Sequence, residues 1–156
     1  MAEDISGDKP FNVDVALLES VIENKVKKLN VLSLNEQDNC IAFMVFFALG
    51  VHEGVRTPLG KVKGWVRPSS FRQNSFYSDN LALLNAVVLE ELRKEGKENL
   101  ITDRDLAYKI IEEYVNTGVH VIDELIPSVS DYNADLVTYE MLDRISEEYN
   151  KLFPES

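Results

Sequence analysis

Apolar residues recur at helical spacing in several stretches of the chain. The first such stripe predicts a helix over about residues 13–29, with Asn12 at the N-cap position and a polar lead-in at residues 1–12. Its apolar positions are Val15, Leu18, Ile22, Val26 and Leu29.

The most apolar stretch of the sequence runs from Ile41 to Leu49. A capping-box pattern that begins at Ser33 precedes it, and Gly54 follows it as a C-terminal stop, so we expect a second helix over about residues 34–53. Because this stretch is apolar on every side, the other helices should enclose it. The second helix is therefore predicted to be the centre of the fold.

Three more helices follow in the pattern. Helix 3 is expected over about 79–95, between Ser78 as its cap and Gly96 as its end. Helix 4 should begin with the capping sequence at residues 102–105 and continue through Gly118, where a kink is conceivable, up to Pro127. Helix 5 is expected over about 133–152 as an amphipathic stripe.

Together these elements predict an all-α fold. We expect residues 1–156 to form a single compact domain of about five helices, since the length suits one hydrophobic core and no linker composition interrupts it. The one candidate boundary is the joint at residues 127–133, and the element beyond it that would form an appendage is the helix at 133–152.

The segment between helices 2 and 3, residues 54–78, has a different character. Glycines and prolines interrupt it repeatedly, which predicts a long ordered loop or a short hairpin. It contains five basic residues and no acidic one, whereas the rest of the chain has 11 basic and 27 acidic residues, a formal charge of −16. The formal charge of the whole chain is −11.

This basic segment is the candidate binding site. Basic side chains can contact phosphates and an interleaved aromatic ring can stack on bases, so DNA is one expected partner. Two alternatives stay open: the segment binds an acidic protein, or its aromatic residues hold it against the core while its bases offset acidic helices or meet a second subunit. The candidate residues are Arg56, Lys61, Lys63, Trp65, Arg67 and Arg72.

The sequence contains no recognisable catalytic or metal-binding motif, so we expect a protein that is not an enzyme and has no cofactor. Cys40 is the only cysteine and lies in an apolar run, and neither His52 nor His120 has an acidic residue three positions before it. The glycines around Lys61 have the wrong spacing for a phosphate-binding loop and follow a helix rather than a strand. The glutamate pairs of the later helices are expected on exposed faces.

Charge and hydropathy also bear on location and partners. The chain begins with acidic residues rather than a signal or transit peptide, and its longest apolar run is too short to cross a bilayer, so we expect a cytoplasmic protein without membrane contact. The acidic later helices offer a surface for a basic protein partner. The apolar second helix predicts self-association into a homo-oligomer. The acids of that surface are Glu112, Glu113, Asp123, Glu124, Asp143, Glu147 and Glu148.

The order of features resembles one family. A helix and polar turn at residues 27–32, the apolar helix at 41–49, an aromatic at Phe76 and the sequence Asn-Thr-Gly-Val at 116–119 are similar to the small E component of bacterial DNA sulfur-modification (phosphorothioation) systems, over roughly residues 15–126. The resemblance implies a compact helical accessory protein that self-associates and binds DNA, in DNA modification or host defence. It implies no catalytic residue.

Overall fold

The computed structural model describes residues 9–28, 39–72 and 78–128, together with residues 142, 143, 146 and 147. A 3₁₀ turn at Glu98–Leu100 lies between the helices Ser78–Lys94 and Arg104–Ser128. In chain order the elements are strand β1 (Phe11–Asp14), helix α1 (Val15–Leu17, continued by a π-helical stretch at Leu18–Lys27), helix α2 (Asn39–Glu53), strand β2 (Val62–Val66), and helices α3 (Pro68–Arg72), α4 (Ser78–Lys94) and α5 (Arg104–Ser128).

Helices α2 and α5 form the centre of the fold and touch through their backbones. A Cβ atom at Gly118 would lie 1.7 Å from the carbonyl oxygen of Phe46, and one at Gly50 would lie 1.8 Å from that of Tyr114. These reciprocal contacts show that the two helices run in opposite directions where they cross. Only glycine leaves room for such an approach, so α5 passes Gly118 as one continuous helix against α2.

The prediction that the second helix is enclosed is confirmed. Between residues 40 and 51 only Ala48 is exposed, because α5 and β2 pack against α2 and the other positions lie in or against the core. The fully buried part of α2 comprises Cys40, Ala42, Phe43, Phe46, Phe47, Leu49 and Gly50. Cys40 is 4% exposed, as its apolar setting predicted.

The all-α prediction needs a correction, because the mostly helical fold includes a two-stranded sheet. β1 and β2 pair antiparallel, with Val13 opposite Lys63 and Asp14 opposite Val62. The residues predicted as a polar lead-in therefore include a strand, and Phe11 is completely buried in the core. The sequence pattern did not reveal this four-residue strand, because its apolar positions run without a break into the apolar stripe of α1.

Several helix ends were predicted correctly, and one was not. Gly54 and Gly96 end α2 and α4 with positive φ angles of 72° and 69°, and Asp103 caps α5 by accepting the N–H of Leu106. The N-cap of α1 is Asp14 rather than Asn12, because the side chain of Asp14 accepts the N–H groups of the first turn. The expected start of helix 2 at 34–38 lies outside the described residues.

The predicted last helix, 133–152, also lies outside the described residues, except for residues 142, 143, 146 and 147, which are helical. The α1 segment is attached to α5 by an ion pair between the Lys25 ammonium and the Asp123 carboxylate. In the described part of the chain, no helix has the length and the apolar composition that a membrane span requires.

Candidate functional site at strand β2

Polar groups on one side of α5 fix the connection that leads from α2 to β2. The amide of Asn116 donates hydrogen bonds of 3.2 Å to the carbonyl oxygens of Thr57 and Pro58. The N–H of Thr57 donates to the carbonyl oxygen of Glu113, and the hydroxyls of Thr57 and Thr117 lie 2.7 Å apart. The start of the basic segment is thus held in one conformation against the helix rather than free in solvent.

Asp14 fixes the end of the same connection. One of its carboxylate oxygens accepts the first N–H groups of α1, and the other accepts the N–H of Gly60 at 2.8 Å. The N–H of Val15 donates to the carbonyl oxygen of Lys61, which extends the pairing of the strands by one residue beyond β2. A single carboxylate therefore sets both the start of α1 and the approach to β2.

The outer side of β1 is attached to α5 by two hydrogen bonds. The N–H of Asn12 donates to the Glu112 carboxylate at 2.6 Å, and the hydroxyl of Tyr108 donates to the carbonyl oxygen of Lys9 at 2.9 Å. Burial raises the pKa of the Glu112 carboxyl to about 7; the hydrogen bond from Asn12 and the charge of Lys9 oppose this rise, while the nearby Glu113 adds to it.

Arg56, a predicted phosphate contact, instead pairs with one glutamate of α4, with the glutamate just after that helix and with one glutamate of α5. Its guanidinium lies 3.2 Å from Glu95, 3.6 Å from Glu91 and 3.7 Å from Glu113. Glu91 also accepts the hydroxyl proton of Tyr114 at 2.7 Å, and burial together with this hydrogen bond raises the pKa of the tyrosine. Arg56 therefore joins the basic segment to α4 and α5.

Trp65 does not present its ring for stacking on bases. The register of the two strands shifts between Phe11 and Asn12, so Trp65 is the extra residue of a β-bulge. The bulge directs the indole onto α2, where its ring centroid lies 6.1 Å from those of Phe43 and Phe46. The alternative that aromatic residues hold the segment against the core is therefore correct for Trp65.

Three other basic residues of the segment lie at the surface. Lys61, Lys63 and Arg67 are exposed, and among the described residues no acidic side chain forms an ion pair with either lysine. Arg72 is the last residue of α3. The structure thus brings together Lys61, Lys63 and Arg67 on and beside one strand.

The acidic surface of the structure also differs from the predicted one. Glu112 and Glu113 were predicted on an exposed face of the helix, but Glu113 is only 7% exposed and Glu112 is partly buried. Both side chains point toward the sheet and the basic segment, where they bind a backbone amide and a guanidinium. Glu124 and Glu147 do lie at the surface.

Within the described ranges, no three side chains of the His, Cys, Asp or Glu type lie close enough together to hold a metal ion. His120 is exposed on α5, one turn from the exposed Glu124. The arrangement around β2 offers hydrogen bonds and positive charge, which is the chemistry of binding.

Sequence reasoning missed the polar residues that hold the segment in place. Asn116 and Thr117 interrupt the apolar stripe of α5, yet they are 2% and 6% exposed. Polar residues next to a glycine in the middle of an amphipathic helix were the available signal, because buried polar groups need hydrogen-bond partners. Their partners lie some 60 residues away in sequence, and helical periodicity carries no information at that range.

No protein-family model matches the chain, and comparison with curated proteins and with solved structures likewise finds no match. The resemblance to the E component of DNA sulfur-modification systems stays a prediction.

Proposed function

We propose that this chain is a non-enzymatic, DNA-associated accessory or assembly protein that contacts phosphates through the exposed cations of the β2 segment. The observation that supports the proposal is the position of Lys61, Lys63 and Arg67 on and beside one strand, in a segment without any acidic residue. DNA modification or host defence is the setting that the family resemblance implies.

The geometry of the strand suits a repeating polyanion. Residues two apart on a strand point to the same face and lie roughly 7 Å from each other. Lys61 and Lys63 therefore form a pair of charges with a separation comparable to that of successive phosphates along a nucleic-acid strand. Because Asp14 and Asn116 fix the backbone around them, little backbone order has to be gained on binding.

The same geometry limits the mode of contact. Trp65 packs on α2 and Arg56 pairs with glutamates, so neither is available to stack on bases or to bind phosphate. Contact through lysine side chains alone reads no base sequence. We therefore expect sequence-independent binding that is weakened by the acidic remainder of the molecule and depends steeply on salt.

The test is fluorescence anisotropy with intact, nicked and single-stranded DNA at several salt concentrations. Each phosphate contact adds about 0.9 to the slope of log affinity against log salt. The variant Lys61→Glu/Lys63→Glu should lower that slope by about 2 or abolish binding. The fluorescence of Trp65, the only tryptophan, should not be quenched by DNA.

A matched control has the same change in net charge at other exposed lysines. Lys94→Glu/Lys109→Glu alters two exposed residues of α4 and α5 that lie outside the β2 segment. If this control weakens binding as much as the β2 variant, the contact is not local to β2. Absence of DNA binding by the wild-type protein at low salt would reject the proposal.

A second candidate function is binding of a basic protein partner through exposed acids. The observation that favours it is the formal charge of −11, of which exposed residues such as Glu98 and Glu124 form part. Since Glu112 and Glu113 are turned inward, the informative variant is Glu98→Lys/Glu124→Lys. Unchanged binding of a basic partner or of a lysine-rich peptide by this variant would remove these residues from the interface.

Self-association stays a prediction. It rested on the surplus of apolar residues on the second helix, and in the structure the large apolar residues of α2 are buried or partly buried within one molecule. Size-exclusion chromatography with light scattering distinguishes a monomer from an oligomer.

A further inference from the structure

The two edges of the small sheet are not equivalent. The bond from the Val15 N–H to the Lys61 carbonyl oxygen identifies these residues as a hydrogen-bonded pair. In an antiparallel ladder such pairs alternate with pairs whose backbone groups point away from each other. With the observed register, Val62 and Gly64 therefore direct their N–H and C=O groups away from β1.

The same alternation explains the other edge. Asn12 lies opposite Gly64, so its N–H must also point away from its partner strand, and it donates to Glu112 of α5. The outer edge of β1 is thus covered by a carboxylate of a central helix. No comparable group in the described part of the chain covers β2 from outside.

The outer edge of β2 is accessible at the surface. Lys61, Val62, Lys63 and Gly64 are all exposed, and Val62 retains 46% of its side-chain and backbone area in contact with solvent. A strand edge of this kind presents donors and acceptors at the spacing that another strand requires. A two-stranded sheet is also marginal by itself and gains stability from a third strand.

We propose that the outer edge of β2 binds an extended segment of an acidic protein partner, which adds to the sheet as a third strand. Backbone hydrogen bonds would form with Val62 and Gly64, and acidic side chains at alternate positions would lie beside Lys61 and Lys63 on one face. On the opposite face, an apolar side chain of the partner would cover Val62.

Charge decides between this partner and a second copy of the chain. Antiparallel pairing of two β2 strands about Val62 would place Lys61 of each copy directly opposite Lys63 of the other. Like charges in opposed positions destabilise a sheet, and lysines on an edge strand hinder indiscriminate pairing. An acidic segment turns the same lysines into favourable cross-strand pairs.

This inference goes beyond the proposed DNA contact and does not depend on it. DNA would use the lysine side chains alone, whereas an added strand also uses the backbone edge. A partner strand and DNA would compete for the two lysines, since both need their charge. The backbone amides distinguish the two modes.

Amide hydrogen exchange of the full chain, followed by NMR, tests the edge directly. In the protein alone, the amides of Val62 and Gly64 should exchange much faster than that of Lys63, which faces Val13 in the ladder. Addition of a short capped peptide in which glutamate and valine alternate should slow exchange at Val62 and Gly64 by about tenfold or more. If both amides are already as protected as that of Lys63, the edge is covered and the proposal is wrong.

Anisotropy with the labelled peptide supplies the second test. Its binding should fall by about tenfold or more with Lys61→Glu/Lys63→Glu and stay unchanged with the matched control Lys94→Glu/Lys109→Glu. A peptide in which proline replaces each valine keeps the charge but lacks those N–H donors, so it should bind at least about tenfold more weakly. Equal binding of both peptides, or binding of single-stranded DNA but not of the valine peptide, would overturn the proposal.

Discussion

Glu112 makes the stability of the fold depend on pH in a direction opposite to that of most carboxylates. Its pKa rises from 4.5 to about 7 because burial disfavours the charged form more than the Asn12 amide and Lys9 favour it. Between these two values the folded protein binds more protons than the unfolded chain. The free energy of unfolding should therefore fall as pH rises from about 4.5 through 7.

The magnitude follows from the size of the shift. A change of one pKa unit corresponds to about 1.4 kcal/mol, so the complete effect has an upper limit of about 3 kcal/mol. Because the side chain is only partly buried, solvent screening lowers this value, and we expect a loss of about 2 kcal/mol between about pH 5 and about pH 8.

The variant Glu112→Gln isolates this contribution. Its amide oxygen can still accept the N–H of Asn12, but the side chain does not ionise. Urea unfolding followed by circular dichroism across this pH range gives the free energy for each protein. Wild type should lose about 2 kcal/mol more than the variant as pH rises, and Glu112→Gln should be the more stable protein at about pH 8.

The comparison removes the other titrations. The two histidines are present in both proteins and cancel in the difference. Glu124→Gln, at an exposed site on the same helix, is the control for the loss of a carboxylate from α5. Profiles of wild type and Glu112→Gln that run parallel within about 0.5 kcal/mol would refute the reasoning from burial.

Three further predictions follow from contacts of the fold. Gly118→Ala should destabilise the protein by about 3 kcal/mol or more in thermal or urea unfolding, because the added Cβ would meet the backbone of Phe46. A loss below about 1 kcal/mol would show that the helices can separate at little cost. Arg56→Met should cost about 2 kcal/mol by leaving three glutamates without their cation, with partial recovery in Arg56→Lys. Asp14→Ala should cost about 1–2 kcal/mol and raise hydrogen exchange at the Gly60 amide, whereas unchanged exchange there would contradict the role assigned to this carboxylate.

The sequence predicted α2, α4 and α5 well because each of them has its own local signals. Gly54 and Gly96 mark helix ends through their backbone freedom, and Asp103 caps α5 through a contact three residues away. The enclosed position of α2 followed from its uniform apolar character. These signals act within one or two helical turns, and the sequence displays them directly.

The sheet and the state of the candidate residues depend on contacts between distant parts of the chain. Val13 and Lys63 pair across 50 residues of sequence, and Arg56 meets Glu91 and Glu113 on two different helices. The basic segment was identified from its composition, but composition does not show which cations are committed within the molecule. Of its side chains, Lys61 and Lys63 keep the expected exposure, and Trp65 does not.

The backbone contact between α2 and α5 also bears on how distant relatives could be recognised. At two positions, Gly50 and Gly118, a methyl group would overlap main-chain atoms of the facing helix. Evolution can replace a buried Leu by Ile or Met, but it has no substitute for hydrogen as a side chain at such a crossing. A diverged sequence with the same architecture would therefore retain a glycine on each of two apolar helices, even after most other identities had been lost.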